Sequence, residues 1–471
     1  MTSVQTPQAN KVDLTWLKQY RHITVIGLGM SGVGVVKALT ARGIELHIQD
    51  SRKNVEGLED LKLLPGVKSV HTGSFDKEAL LKTELIILSP GVSMRTPEID
   101  EAIRAGVCVT GDIDIVARST SVPIIAITGS NGKSTVTKLA GDICEVAGYQ
   151  TFVGGNIGRS AMELLDSNQR YEVAILELSS FQLETTPELN ALSAVVLNLS
   201  PDHLDRYDSY QEYAESKLAI FNGAQACVLN RDDSWLSGIE LFSSRKQDSG
   251  SQCKKRVVSF GVDEPKNDNE YGLATDEKGT HWLMKGDQRI CSTDQSSLLG
   301  VHNHMNILAA LALLDSFGIG TRSIEKALSS FIGLPHRMQV VREHKGVVWI
   351  NDSKATNVGA TMAAIAGLNR QIILLAGGQG KGADFDELVP LIGQYVRKVY
   401  LFGEDAKQMK ASWCKATDCY LVDSLSVAVV HAEEVALSGE CVLFAPACAS
   451  FDMFPSFVAR GEYFIELVDA L

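Results

Sequence analysis

Features that define several protein classes are missing from this 471-residue chain. Its nine cysteines include no C-x-x-C pair, which argues against a zinc knuckle or a disulfide framework, and we expect reduced, mostly buried thiols. No apolar run approaches the roughly 20 residues that span a bilayer. The polar start, residues 1–11, is unlike a signal peptide. We therefore expect a cytoplasmic protein without membrane insertion.

Positive charge is also scarce. The chain has 44 Lys and Arg against 57 Asp and Glu, a formal net charge of -13. Nucleic acids and anionic membranes attract proteins through positive surface, so neither is an expected partner, although local basic pockets for phosphates or carboxylates are compatible with this balance. The apolar content of 45% is typical of a globular protein with an ample core.

Short apolar runs alternate with helix-like segments through most of the chain, for example at residues 22–26, 124–128 and 347–351. This alternation predicts βαβ units and an α/β fold with mostly parallel sheets. At roughly 150 residues per domain, the length predicts about three domains. Breaks in the pattern near Gly111 and Gly333 suggest the following ranges: 1–111, 112–333 and 334–471.

A first glycine-rich loop, Gly27-Leu-Gly-Met-Ser-Gly32, follows a strand and opens a helix, and Asp50 ends the next strand. The glycines let the backbone approach a diphosphate, and the helix N-terminus supplies a positive dipole. Asp50 has the spacing of a ribose-binding acid. The pattern alone leaves open a dinucleotide such as NAD or FAD, another nucleotide diphosphate such as a UDP-sugar, or merely a tight turn.

The second glycine-rich loop, Gly129-Ser-Asn-Gly132-Lys133-Ser134, carries the strongest local signal. An apolar strand runs into it and a helix follows, so backbone N–H groups can cradle phosphates while Lys133 reaches the terminal ones and Ser134 faces Mg²⁺. The usual pattern has a glycine where this chain has Ile127, which makes the loop a shortened variant. We predict a site for a nucleoside triphosphate.

Further polar motifs follow one another along the chain, at residues 128–135, 154–158, 177–184, 202–207, 215–218, 302–306, 334–337, 351–357 and 446–450. In this order they resemble the Mur ligases of peptidoglycan synthesis, over nearly the whole chain. The resemblance implies an N-terminal Rossmann-like UDP-binding domain, a central P-loop ATPase domain and a C-terminal Rossmann-like domain. It also implies an ATP-dependent amide ligase that works through an acyl phosphate with two Mg²⁺ ions.

Within the family, residues 352–357 are similar to the member that adds D-glutamate to UDP-N-acetylmuramoyl-L-alanine. These two small molecules are the partners that the resemblance implies, and we expect a monomer. One departure is Gln379, where the D-glutamate-adding pattern has an aspartate, which leaves the charge at that position open.

The resemblance also implies roles for individual residues. The ATP-binding residues are Gly129, Ser130, Asn131, Gly132, Lys133, Ser134, Thr135, Asn303, Asn306, Arg337, Asp352 and Lys354. The metal-binding residues are Ser134, Glu177, His203 and a carbamylated Lys217, and the catalytic residues are Lys133, His203 and Lys217. The substrate-binding residues are Met30, Ser31, Ser51, Arg52, Ser89, Asn156 and Ser179, with Thr356, Lys381, Ser450 and Phe457 for D-glutamate.

Other hypotheses for the function stay open at this point. A folylpolyglutamate-type synthetase would share the ATPase domain, but that class lacks the domain around the first loop. An NAD-dependent dehydrogenase with a regulatory ATP site would explain both loops, yet it leaves His203, Lys217 and residues 352–357 unused. A non-enzymatic nucleotide-binding scaffold would use none of them. Without the motif, Lys217 would be read as a solvent-facing lysine on a helix.

Overall fold

A computed structural model describes residues 11–166, 168–202, 206–237, 255–296, 298, 300–368 and 370–471. Three sheets are present in this part of the chain. The chain divides into two compact units. The first contains Met1–Leu199, Gln211–Cys291 and Ile307–Ala327, and the second contains Ser200–Tyr210, Ser292–Asn306 and Leu328–Leu471. No described helix has the length and apolar character needed to cross a membrane.

The first sheet belongs to the N-terminal part. Its strands are β1 (Ile23–Ile26), β2 (Leu46–Asp50), β3 (Val67–Thr72), β4 (Leu85–Leu88) and β5 (Cys108–Thr110). They lie in the order β3-β2-β1-β4-β5, all parallel. The helices are α1 (Met30–Thr40), α2 (Leu58–Lys62), α3 (Lys77–Leu81), α4 (Pro97–Arg104) and α5 (Asp112–Ser119). Every residue of β1 and β4 is buried, as expected of internal parallel strands.

The second sheet forms the centre of the chain. Its strands are β6 (Ile124–Thr128), β7 (Thr151–Gly155), β8 (Val173–Glu177), β9 (Ser193–Val196), β10 (Ala226–Asn230), β11 (Arg256–Phe260), β12 (Glu270–Thr275), β13 (His281–Lys285) and β14 (Gln288–Ser292). Their order is β14-β13-β12-β11-β10-β9-β6-β8-β7. The strands from β6 to β12 pair in parallel, and β12 pairs with β13 antiparallel. The helices are α6 (Lys133–Val146), α7 (Ser180–Glu184), α8 (Tyr210–Leu218), α9 (Ser234–Ser237), α10 (Val301–Leu313) and α11 (Thr321–Ser330).

The third sheet lies in the second unit. Its strands are β15 (Gln339–His344), β16 (Val347–Asn351), β17 (Ile372–Gly377), β18 (Val396–Phe402), β19 (Asp418–Leu421) and β20 (Cys441–Phe444), in the order β15-β16-β20-β17-β18-β19. The helices are α12 (Val358–Ala366), α13 (Val389–Tyr395), α14 (Ala406–Trp413), α15 (Leu425–Val435) and α16 (Phe457–Asp469). Leu374 packs in one apolar cluster while its neighbours Ile373 and Leu375 pack in another. Successive side chains point to opposite faces of a strand, so both faces of this sheet are covered.

Short 3₁₀ segments complete the secondary structure: Thr15–Gln19, Ala161–Leu165, Ala219–Phe221, Thr293–Gln295, Asp315–Phe317 and Phe385–Leu388. The predicted α/β class with mostly parallel sheets is confirmed. All the cysteines of the described residues are free, and only Cys108 and Cys414 among them are exposed, in line with the expected buried thiols. The ranges 1–111, 112–333 and 334–471 stay a prediction.

Candidate active site

The second glycine-rich loop joins the buried strand β6 to α6 in the first unit. Gly129 and Gly132 adopt φ values of 149° and 84°, and a Cβ on Gly129 would lie 2.9 Å from the Cβ of Leu197. A side chain is therefore excluded where the loop turns. The ammonium of Lys133 donates to the carbonyl oxygens of Gly129 and Ser130, each at 2.8 Å. The predicted loop residues thus lie together at the carboxyl end of a parallel strand, where such sheets bind ligands.

Two residues that the sequence analysis did not select hold this loop. The Asn198 side chain accepts from the backbone N–H of Asn131 at 2.8 Å and donates to the carbonyl of Asn131 at 3.1 Å. The hydroxyls of Tyr213 and Ser130 are 2.9 Å apart and hydrogen-bonded. In the sequence Asn198 only ends the apolar run 194–198, and its closeness to the loop becomes visible when β9 pairs with the loop strand β6.

Glu177 ends strand β8, opposite Ile127 of the loop strand. Its side chain is buried, and its Oε1 accepts a hydrogen bond of 2.9 Å from the amide of Asn156. Its Oε2 is also buried but has no hydrogen-bond partner among the described residues. A bare buried carboxylate oxygen is costly unless a donor or cation meets it, and carboxylate oxygens are preferred Mg²⁺ ligands. Glu177 therefore fits a metal ligand, and Asn156 is placed to orient it.

Lys217 is buried on α8, at 3% relative exposure. This burial excludes the alternative that Lys217 is a solvent-facing lysine. Its ammonium lies 4.9 Å from the ring centroid of Tyr213, whose hydroxyl is hydrogen-bonded to Ser130, so one side chain separates Lys217 from the second glycine-rich loop. Ser134 and Thr135 are buried in the first turn of α6. The predicted metal ligand His203 lies outside the described residues.

Asp50 braces the first glycine-rich loop from the end of β2. Its Oδ2 accepts from the backbone N–H of Leu28 at 2.7 Å, and Arg52 donates to both oxygens at 2.9 and 2.7 Å. Burial alone would raise the pKa of Asp50, but the hydrogen bonds from Arg52 and Leu28 outweigh it and lower the pKa to about 2. Both carboxylate oxygens are already held by the protein, which differs from the expected ribose-binding acid.

The predicted serines near this loop also contact protein groups. Ser89 donates to the carbonyl of Gly27 at 2.6 Å, and Ser31 hydrogen-bonds to the buried carboxyl of Asp112, whose pKa is raised by burial. A Cβ on Gly32 would lie 1.9 Å from the Gly27 carbonyl oxygen, so only glycine permits this turn. Met30, Ser51 and Arg52 are exposed beside the loop.

Ser179 caps a helix. Its hydroxyl accepts from the backbone N–H of Gln182 at 3.2 Å, and the Gln182 side chain accepts from the Ser179 backbone N–H at 3.1 Å, which is a capping box at the start of α7. Gln182 also donates to Asp112 at 3.4 Å. Asp112 therefore joins the first glycine-rich loop to α7. The sequence analysis placed Asp112 only at the start of the predicted range 112–333 and did not reveal this contact.

The second unit collects the other predicted residues at one sheet edge. Asp352 follows β16, Ser450 lies beyond β20 and Lys381 lies beyond β17, and these three strands are neighbours. Carboxyl ends of parallel strands share an edge, so the three residues belong to the same edge. Gln379 and Ala449 exchange two backbone hydrogen bonds, of 3.0 and 2.9 Å, which tie the loops after β17 and β20 together.

Asp352 is buried and accepts a hydrogen bond of 3.2 Å from the backbone N–H of Met338. Burial raises its pKa to about 7, although the Met338 N–H and the charge of Arg337 act in the opposite direction.

Asn306 donates to Asn303 at 3.2 Å, which confirms that these two residues share one face of α10. Both asparagines belong to the second unit, as Asp352 does.

Arg460 is a buried cation that the sequence analysis missed. Only 1% of it is exposed, and its guanidinium donates to the carbonyl oxygens of Ser353 at 2.8 Å, Cys448 at 3.0 Å and Ala449 at 3.2 Å. It therefore fixes the segments that precede Thr356 and Ser450. Nothing in the sequence around Arg460 distinguishes it from a surface arginine of an amphipathic helix.

Phe457, the first residue of α16, contacts the same segment. Its carbonyl accepts from the Ser353 hydroxyl at 2.8 Å, and the Lys354 ammonium lies 4.1 Å from its ring centroid, within the range of a cation–π contact. The backbone N–H of Thr356 donates to the Lys354 carbonyl at 2.8 Å. Lys381 is exposed with a left-handed φ of 54°.

Three family descriptions match successive parts of the chain. "Mur ligase MurD-like, N-terminal domain" matches residues 21–111, "Mur ligase middle domain" matches 127–314, and "Mur ligase, glutamate ligase domain" matches 336–448. A solved structure, the pseudomurein peptide ligase type C from Methanothermus fervidus, superposes with a TM-score of 0.59 at 19% identity, covering 95% of this chain and 99% of that chain. That likeness concerns the fold.

Relatives at higher identity span nearly the whole chain. The UDP-N-acetylmuramoylalanine–D-glutamate ligase of Haemophilus influenzae is 44% identical over 455 residues, which is 96% of this chain and 99% of that protein. The ligase of the same name from Pseudoalteromonas translucida is 42% identical, over 96% of this chain and 97% of that protein. This chain therefore belongs to the Mur ligase family.

Proposed function

We infer that this chain is an ATP-dependent ligase that forms an amide bond between D-glutamate and the alanine carboxylate of UDP-N-acetylmuramoyl-L-alanine, in peptidoglycan precursor synthesis. The observation that carries this function is the 44% identity to a D-glutamate ligase over 96% of the chain. The phosphate-binding loop beside the partly unpartnered Glu177 supports it, since the reaction needs both nucleotide and metal.

The chemistry explains why these groups are needed. A carboxylate is a poor acylating group and must first be activated. In the first step a carboxylate oxygen attacks the γ-phosphorus of ATP, and ADP leaves. The amine of D-glutamate then attacks the carbonyl carbon of the resulting acyl phosphate. Inorganic phosphate leaves and carries the former carboxylate oxygen with it. Both steps gather several anions, which must be neutralised by metal ions and cationic side chains.

On the ATP side, we propose that the backbone of residues 129–132 holds the phosphates with Lys133, Ser134 and Thr135. Glu177 and Ser134 would hold Mg²⁺, which neutralises phosphate charge when bound. His203 and a carbamylated Lys217 would hold a second ion. The buried position of Lys217 beside Tyr213 supports this role. Asn303, Asn306, Arg337, Asp352 and Lys354 complete the proposed ATP-binding residues.

For the two acceptors, we propose that the first glycine-rich loop takes the UDP diphosphate through Met30 and Ser31, with Ser51, Arg52 and Ser89 toward the uridine. Asn156 and Ser179 would serve the sugar-peptide end, in part through the protein contacts described above. The proposed D-glutamate residues are Thr356, Lys381, Ser450 and Phe457, at the edge that Arg460 holds together.

We also propose the domain ranges 1–111, 112–333 and 334–471, which the positions of the three family matches support. A cytoplasmic location is supported by the need for ATP. A monomer is supported because the residues proposed for ATP and those proposed for the two acceptors all belong to one chain.

Substitution of Lys133 provides a test. Lys133→Ala should abolish ligation while UDP-substrate binding stays within a few-fold, because Lys133 is proposed to meet only ATP phosphates. Lys138→Ala, on an exposed ion pair of the same helix, is the matched control. Ligation by Lys133→Ala within a few-fold of the parent would overturn the ATP-site proposal.

A further inference from the structure

A small cavity of about 220 Å³ lies in the first unit, away from the loops described above. It opens between the last three strands of the central sheet, β12 to β14, and the helices α6, α10 and α11. Its apolar lining consists of Ile143, Ile290, Leu311, Leu314, Ile319 and Ile324. Such a lining, with a few polar groups at one end, is the usual composition of a small-molecule site.

The size of the cavity is sufficient for a ligand larger than water. An apolar cavity of about 150 Å³ can hold a benzene molecule. A volume of 220 Å³ therefore accommodates a ring or a branched chain of about six carbons together with a small polar head.

The cluster around Asp315, at the polar part of the cavity, has one more cation than carboxylate, although Arg256 pairs with Asp315 without lining the cavity itself. The Asp315 side chain is 5% exposed and contacts the Tyr271 hydroxyl, the Lys285 ammonium and the Arg256 guanidinium. Two cations thus face one carboxylate. Burial opposes ionisation of Asp315, but its hydrogen bonds with Lys285 and Tyr271 lower its pKa, so this carboxylate remains charged at neutral pH.

Lys285 retains hydrogen-bonding capacity. An ammonium has three donors, and Asp315 is the only hydrogen-bond partner of the Lys285 ammonium among the described residues. The Lys285 side chain is 31% exposed and lines the cavity. A second carboxylate beside Lys285 would balance the local charge and use a free donor in a charge-assisted hydrogen bond.

The cavity is separate from the proposed ATP site. Ile143 lies ten residues after Lys133 on α6, which is about 15 Å along the helix axis. None of the residues proposed for ATP, metal, UDP or D-glutamate lines the cavity. Ligand binding in this cavity is consequently independent of the proposed function.

We propose that this cavity binds a small monocarboxylate with an apolar tail, with the carboxylate at Lys285 and the tail against Leu311, Leu314 and Ile324. An aliphatic amine would add a third cation beside Arg256 and Lys285. A neutral amide would fill the cavity but leave the surplus charge unbalanced.

Titration with 4-methylpentanoate, followed by saturation-transfer NMR and calorimetry on the full chain, tests the site. We expect saturable binding with a Kd of about 1 mM or below. The primary amide of the same acid should bind about tenfold more weakly or worse, since it lacks the charge. No saturation up to about 20 mM, which is well above the expected Kd, would overturn the proposal.

Variants of the chain test whether 4-methylpentanoate binds in this cavity. Lys285→Met should weaken binding about tenfold or more, whereas Lys278→Met, at an exposed lysine in the turn between β12 and β13, should leave it unchanged. Ile319→Trp, which enlarges a half-buried side chain of the lining, should abolish binding by occupying the cavity, and it tests the site independently if Lys285→Met fails to fold. Lys381→Ala distinguishes the proposed D-glutamate site. Loss of binding in Lys381→Ala, with binding retained in Ile319→Trp, would contradict the assignment to this cavity.

Discussion

The amide of Asn156 holds one carboxylate oxygen of Glu177 at 2.9 Å, while the other oxygen is buried and meets no donor among the described residues. The backbone N–H of Asn156 also donates to the main-chain carbonyl of Glu177 at 2.8 Å, so Asn156 is held beside Glu177 and its side-chain amide is placed to orient the carboxylate. An oriented carboxylate with one open oxygen is preorganised for a cation at the end of β8, next to the second glycine-rich loop.

Glu177→Gln should reduce the ligation rate by more than about 100-fold, because the amide keeps the shape of the side chain and loses the negative charge that Mg²⁺ prefers in a ligand. Asn156→Ala should raise the Mg²⁺ concentration needed for half-maximal rate by about 10- to 100-fold, the usual effect of removing a partner that orients a metal ligand. Steady-state rates across a Mg²⁺ titration measure both effects.

The matched control for that pair is Glu163→Gln, at an exposed glutamate bonded to Arg159. It should leave the rate within about twofold, since surface ion pairs contribute little. Unchanged Mg²⁺ dependence in both Glu177→Gln and Asn156→Ala would exclude Glu177 as a metal ligand.

Lys217 should act as a carbamate. A bare buried ammonium about 4 Å from Mg²⁺ would cost about 8 kcal/mol at an effective dielectric near 20, whereas a carbamate reverses the sign and supplies two oxygens. Lys217→Ala should therefore cripple turnover without unfolding the protein, and short carboxylic acids should restore part of the activity. Lys138→Ala, at an exposed lysine, should have no such effect.

Labelling gives the direct measurement for Lys217. Protein equilibrated with ¹³C-bicarbonate should show a carbamate carbon signal that is absent from Lys217→Ala. Parental activity in Lys217→Ala, or an unmodified lysine in the nucleotide- and Mg²⁺-bound enzyme, would refute the carbamate.

Asp352 should make stability depend on pH. Burial raises its pKa from 3.8 to about 7, so between these pH values the folded state holds a proton that the unfolded chain has released. The free energy of unfolding should consequently fall as the pH rises through this window, by up to about 1.4 kcal/mol per pH unit, with no further loss above the folded pKa.

Asp352→Asn removes this contribution. Urea unfolding of the parent and the variant at pH 5, 6, 7 and 8 measures it, because the other titrating groups are common to both proteins. The difference in unfolding free energy should change between pH 5 and 7 and level off above that. A constant difference over the whole range would contradict a raised pKa for Asp352.

Arg52 should serve the UDP-linked substrate. Arg52→Ala removes two charge-assisted hydrogen bonds from Asp50, which braces the first glycine-rich loop through Leu28. We expect the KM for the UDP-linked substrate to rise about tenfold or more, equivalent to at least 1.4 kcal/mol, with the KM for ATP unchanged. Lys53→Ala, at the exposed neighbour, is the control. Calorimetric binding of NAD with no binding of the UDP-linked substrate would instead favour the dehydrogenase reading.

The contiguous parts of the site could be predicted from the sequence, because their chemistry is local. The loop at Gly129 and Gly132 needs only a strand, two glycines and a helix start, all adjacent in the chain. The sheets were predictable for a similar reason, since fully buried parallel strands appear as short apolar runs.

The supporting contacts depend on tertiary pairing and could not be predicted in the same way. Asn198 reaches the loop only because β9 lies beside β6, and Arg460 reaches Ser353 and Cys448 only once α16 has packed. Ser179 shows the reverse case. Its motif suggested a substrate contact, yet its hydroxyl closes a capping box with Gln182, and the spacing of these two residues is visible in the sequence.

The most direct test of the central claim is ATP-dependent product formation with each substrate omitted in turn. Phosphate release and product mass are followed with UDP-N-acetylmuramoyl-L-alanine and either D- or L-glutamate. We predict sustained phosphate release and the D-glutamyl product only when ATP, Mg²⁺, the UDP-linked substrate and D-glutamate are all present. A site with several polar contacts should strongly reject the L-enantiomer. Equal turnover of both enantiomers, or no amide product with the complete set, would contradict the assignment.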